Sequence, residues 1–157
     1  MSMTKAINRK VCCVISDGSK LLENADYVRQ KLNEEIAAAI DDEFAYFISG
    51  FDDEAALLFA EIVIDLRRNS HKLFLEAAIP YSNWTNREDN KGLLSQSNGR
   101  KAVCRKGSPN SLMLRSRYMA QESERVIAVY CNDPKPEMVA ALRFAHVYDR
   151  ELRVIQY

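Results

Sequence analysis

Short, almost unbroken apolar runs recur along this chain, and each is followed by a turn and then by residues at helical spacing. The first, KVCCVIS (Lys10–Ser16), is rich in β-branched residues and has no polar alternation. A strand of that kind has both faces buried, as in a parallel sheet covered by helices on each side. DGS follows as a turn signal, and then Leu21, Leu22, Ala25, Val28, Leu32, Ile36 and Ile40 fall on one helical face. FAYFIS (Phe44–Ser49) reads as a second strand. DDEAALLFAEIVIDLRRN reads as a second helix, acidic at its start and basic at its end, as the helix dipole favours. KLFLEAAIP (Lys72–Pro80) is a third strand, stopped by proline.

The second half continues the alternation less regularly. YSNWTNREDNKGLLSQSNG predicts a short amphipathic helix capped by Thr85 and stopped by Gly99. RKAVCRKG predicts a fourth strand, and SPNSLMLRSRYMAQES a helix opened by Ser108 and Pro109. RVIAVYC (Arg125–Cys131) is a fifth strand, PKPEMVAALRFAHVYDR the last helix and ELRVIQY a closing strand. Strands alternating with helices define an α/β chain with a mainly parallel sheet, whose right-handed crossovers place helices on both faces. In such sheets ligands bind beyond the carboxyl ends of the strands, where the strand order switches direction. The segments so selected lie around Asp17–Ser19, Gly50–Asp52, Tyr81–Trp84, Arg105–Pro109 and Asn132–Pro136.

Length and charge narrow the field. The 157 residues are 47% hydrophobic and 28% charged, which suits one globular domain over residues 1–157. Lys+Arg and Asp+Glu are 22 each, so no overall basic field draws in nucleic acid or anionic lipid. The four basic residues of RKAVCRK alternate between the two faces of a strand, and nucleic acid is not favoured as a partner. No apolar run is long enough to span a bilayer and MSMTKAINRK lacks the apolar core of a signal peptide, so a cytoplasmic protein with no membrane partner is expected. Cys12 and Cys13 point to opposite faces of their strand, and no C-x-x-C pair exists. Buried thiols are expected, although Cys104 and Cys131 could approach each other if both end strands. His71 and His146 lack metal-ligand spacing; no metal and no cofactor is expected.

The glycine turn between the second strand and second helix poses the functional question, because glycine before a helix is where many α/β proteins hold phosphate. Here Asp52, Asp53 and Glu54 follow Gly50 almost at once. Asp52 or Asp53 as N-cap would occupy the donors a phosphate needs, and paired carboxylates would repel it. The stretch reads as a well-capped helix first and an altered ligand site second.

VCCVIS as first strand, FISG before an AALLFAE helix, LEAAIPY…W, and above all RSRYMAQESERVIAVY together resemble the YpsA-like family of the SLOG superfamily, whose relatives include the LOG cytokinin-activating enzymes and DprA. The resemblance runs from about Lys10 to the end of the sequence. It implies a Rossmann-like three-layer sandwich and a pocket for a nucleotide or nucleotide-derived ligand. The chain departs from the family pattern in three loops. Ser16, Asp17 and Gly18 stand where the family has Gly-His-Arg; Glu54, Ala55 and Ala56 stand for Gly-Val-Asp. Asn132, Asp133 and Pro134 stand for Gly-Gly-Thr. Lost glycines and added acids and prolines remove anion donors.

The candidate ligand residues are accordingly Ser16, Asp17, Gly18, Ser49, Gly50, Tyr81, Trp84, Arg115 and Arg117. An arginine of the pair could grip phosphate or carboxylate; equally, both could pair with Glu122 or Glu124 on the surface. Tyr81 and Trp84 could stack on a base or plug the core. Ser16 and Ser49 read as turn hydroxyls, and Tyr118 and Met119 as helix-to-sheet packing. Glu61, in the AE that the family also shows, is the one catalytic candidate, set against a solvated glutamate paired with Arg67 or Arg68. The expected function is binding of a nucleotide-related small molecule with little or no catalysis. A LOG-type nucleotide N-glycosidase (phosphoribohydrolase) and a non-catalytic interaction module with a vestigial pocket are the alternatives, and a homodimer is left open.

Overall fold

Six parallel strands make one sheet in the order β4-β3-β2-β1-β5-β6 in the computed structural model, which describes residues 9–17, 20–69, 72–84 and 91–157. The strands are β1 (Val11–Ser16), β2 (Tyr46–Ser49), β3 (Phe74–Ile79), β4 (Gly99–Ala102), β5 (Arg125–Tyr130) and β6 (Glu151–Gln156). The connecting helices are α1 (Ala25–Asp41), α2 (Glu54–Arg68), the single-turn α3 (Lys91–Leu94), α4 (Ser111–Glu122) and α5 (Pro136–Val147). This is a Rossmann-like α/β fold of three layers, and the sheet is parallel throughout.

The sheet buries both faces because its central strands carry apolar residues at successive positions. Cys12, Val14, Phe47, Leu75 and Ile127 face α1 and α2, while Cys13, Ile15, Ile48, Val126 and Ala128 face α4 and α5. The adjacent cysteines thus enter opposite cores. Burial pushes the Cys13 thiol up to about 12 and Cys12 well above its ordinary range, so both stay neutral and inert.

Three local expectations are corrected. Gly99 does not stop a helix; it opens β4, an edge strand whose half-exposed residues give no clean alternation. α4 does not begin at Ser108–Pro109 but after Asn110, whose left-handed backbone (φ 58°) asparagine tolerates better than most residues. Leu22 is 71% exposed in a 3-10 turn (Leu22–Asn24) at positive φ, outside the apolar face where the spacing placed it. The turn forms where Glu54 accepts the Leu21 N–H at 2.9 Å and draws Leu21 inward. Thr85, Gly18, Ser19 and His71 lie outside the described residues. Cys104 and Cys131 follow β4 and β5, with β3, β2 and β1 between them, so they stand about 19 Å apart (four strand spacings).

Candidate functional site

The chain leaves β1 for β2 on one side and returns through β5 on the other, so the strand order switches at β1 and β5. Beyond the carboxyl ends of these strands lies a cavity of about 380 Å³. Ser16 and Asp17 reach it from the end of β1, Asp52 from the loop before α2, Leu112, Met113, Arg115 and Ser116 from α4, and Lys135, Glu137, Met138, Ala141 and Phe144 from the start and body of α5. One wall is therefore apolar, and the floor and rim are polar and charged.

The β2–α2 loop explains the floor. Ser49 is buried; its hydroxyl donates to the Ala56 carbonyl at 2.8 Å and accepts the Phe51 N–H at 3.3 Å. Phe51 takes a left-handed backbone (φ 56°), uncommon for a bulky residue, and sends its ring into the α1/α2 core. The turn leaves Asp53 as the N-cap of α2, accepting the Ala56 N–H at 2.9 Å, and Ser16 Oγ–H donates to the same carboxylate, both oxygens lying within 2.8 Å. Asp52 points the other way and pairs with Arg115 at 2.8 Å. Of the two acids offered as caps, Asp53 fills that role.

Arg115 is only 6% exposed, and its guanidinium lies over Gly50, where a Cβ would stand 3.0 Å from Cζ and Nη1 of Arg115 and from Asp52 Oδ1. The missing side chain of Gly50 leaves room for this close approach. Nε and Nη1 of Arg115 have no protein partner. A second, small cavity of about 10 Å³ beside them, bounded by Gly50, Ser116 and Met119, is close to the size that admits one water.

The sequence candidates separate clearly. Ser16, Asp17 and Arg115 line the main cavity, Gly50 lies beneath it and Ser49 braces its loop. Gly18 lies outside the described residues. Trp84 is buried in the α1/α2 core with Tyr81 packed against it, so both serve as plugs there and do not reach the cavity. Arg117 is exposed and donates from Nε to the Tyr148 hydroxyl at 3.0 Å; neither it nor Arg115 is paired with Glu122 or Glu124. Glu61 lies on α2, on the opposite face of the sheet, half-exposed and 3.7 Å from Arg29 rather than from Arg67 or Arg68. It borders a separate depression of about 310 Å³ shared with Leu57, Leu58 and Leu93.

Sequence reading passed over a buried polar cluster behind the site. Glu76 of β3, 1% exposed, accepts hydrogen bonds from Tyr46 Oη at 2.6 Å and Tyr118 Oη at 2.8 Å. Burial raises the Glu76 pKa, and the two phenol hydrogen bonds only partly offset this. Burial and the neighbouring carboxylate also push both phenols far up. The signal was present: a glutamate in the middle of a run buried on both faces must find partners. Met138, Ala141 and Phe144, which build the apolar wall at spacings of three, were also missed. Among the described residues no group of three or more histidine, cysteine or acidic side chains could hold a metal ion, and no helix is long and apolar enough to cross a membrane. No family model matches the chain, and no curated protein matches it either.

Proposed function

We propose that the protein binds a nucleotide-related small molecule in the cavity beyond β1 and β5, with little or no catalysis, as a divergent YpsA-like member of the SLOG superfamily. The observation that carries this reading is the position of the 380 Å³ cavity at the switch in strand order, the place where open α/β sheets hold their ligands. Its volume is at the small end of ligand pockets, which run from about 300 to 1,000 Å³. The N-glycosidase reading has less support, since Glu61 lies on the far face of the sheet and Arg115 is already paired with a carboxylate. The interaction-module reading draws on one observation: the Arg115–Asp52 pair lies across Gly50, where a phosphate would otherwise approach the backbone.

The test is a thermal-shift screen of the purified chain against nucleosides, AMP, ADP-ribose, NAD, nucleotide sugars and cyclic nucleotides. A ligand at a hundred times its dissociation constant stabilises the native state by about 2.7 kcal/mol. A shift with one class supports a working pocket; a flat response to all of them favours the interaction module.

A further inference from the structure

We infer that two copies of the chain join through the outer edge of β6, antiparallel about a two-fold axis, so that their two six-stranded sheets become one. β6 ends the sheet, and among the described residues no strand pairs with its far side. The Glu151 and Tyr157 amides donate to the Glu124 and Tyr130 carbonyls on the β5 side. Backbone groups alternate in direction along a strand, so those of Leu152, Val154 and Gln156 point away from β5. The two faces of β6 differ as well. Arg153 meets Glu35 of α1 at 3.3 Å and Ile155 is buried in the α1/α2 core, so that face is covered. Leu152 and Val154 pair in register with Val126 and Ala128, which lie on the other face. There α5 packs over β1 and β5, and both side chains are left exposed. An unpaired edge with apolar side chains is a template for another strand.

The residues of β6 point to a second copy as that strand. Glu151 and Arg153 put an acid and a base on one face, two positions apart. Antiparallel copies turned about Leu152 set each Glu151 opposite Arg153 of the second copy, and leucine opposite leucine. Turning about Arg153 instead would set base against base, which an antiparallel pair disfavours. Charge therefore selects one register, and in that register the edge is complementary to itself, as a two-fold contact must be. β4, at the opposite edge, has two bases and no acid in GRKA, so it repels its own copy and the assembly closes at two. A net charge of zero leaves no long-range repulsion between copies.

The contact is short, so association in the micromolar range is expected, and sedimentation velocity of the whole chain from about 1 to 100 µM measures it. Val154→Pro and Leu152→Lys are run beside wild type. The proline removes an N–H that points away from β5, so the ladder to β5 is kept. The lysine replaces an exposed leucine and sets ammonium against ammonium across the pair. The expected result is wild type rising to twice the mass of one chain, while both variants stay at one with unchanged far-UV circular dichroism. Wild type that remains single at about 100 µM overturns the inference. So does a dimer that persists in either variant, since the contact then lies elsewhere, and so do assemblies larger than two.

Discussion

Glu76 shows how one side chain couples stability to pH. Its folded-state pKa is raised above the ordinary 4.5 because the carboxylate is buried. Below about pH 4.5 the folded and unfolded chains both hold the proton, and the contribution of the site is complete. As pH rises, the unfolded chain loses its proton first, so stability falls until the pH passes the raised folded value. Glu76→Gln removes this loss: urea melts should show it stabilised relative to wild type more at about pH 8 than at about pH 4. Glu76→Ala instead strands two phenol hydroxyls beside a cavity and should cost about 3–5 kcal/mol at about pH 4, where Glu76 is protonated in both states, and less at about pH 8. Gly50→Ala tests the opposite end of β3's neighbour. A methyl 3.0 Å from the Arg115 guanidinium and the Asp52 carboxylate makes the pair give by a few tenths of an ångström around a buried arginine, with a loss of about 1 kcal/mol by denaturant titration.

Among the elements, α2 has the best-defined start. Asp53 caps it and also receives the Ser16 hydroxyl, tying the end of β1 to the first turn of the helix. Asp53→Ala should cost about 2 kcal/mol, most of it from the cap and the rest from the half-buried Ser16 hydroxyl left behind, whereas Asp53→Asn keeps an acceptor and should cost less in the same melts. The strands β1, β2, β3 and β5 were legible because their uninterrupted apolar runs reflect burial on two faces. β4 was blurred because it is an edge whose Arg100 and Lys101 face water, a placement that also discourages edge-to-edge pairing. The α4 boundary was missed because Ser108–Pro109 imitates a helix start, yet these residues lie in a turn closed by the Ser108 N–H on Arg105. The loops that form the site could be named from topology, and Arg115 from family resemblance. Its partner Asp52, 63 residues away, could not, because only the folded chain brings β2 and α4 together.

The molecule as a whole separates its fastening from its cavity. At the amino ends of the strands, Arg125 bonds Asp42 at the end of α1 at 2.6 Å and Glu151 of β6 at 2.8 Å, and lies over the Phe44 ring. Hydrogen bonds to Arg125 hold both carboxylates below their ordinary values of 3.8 and 4.5. Their contribution is therefore present above those values and is lost as pH falls through the lowered ones. Arg125→Met should lower the melting temperature by several degrees near neutrality, approach wild type in acid, and leave the affinity of any cavity ligand unchanged. The strand order has a consequence during synthesis. β1 pairs with β2 through Cys12 and Phe47, 35 residues apart, but with β5 through Cys12 and Arg125, 113 residues apart. At about 5–20 residues per second, the 78 residues between Phe47 and Arg125 take roughly 4–16 s to make. For that interval the central strand of the finished sheet has an open apolar edge on the ribosome-bound chain. A fragment ending before β5 should accordingly be insoluble or chaperone-bound where the full chain is not, and the yield of native protein in a cell will turn on what shields that edge until β5 emerges.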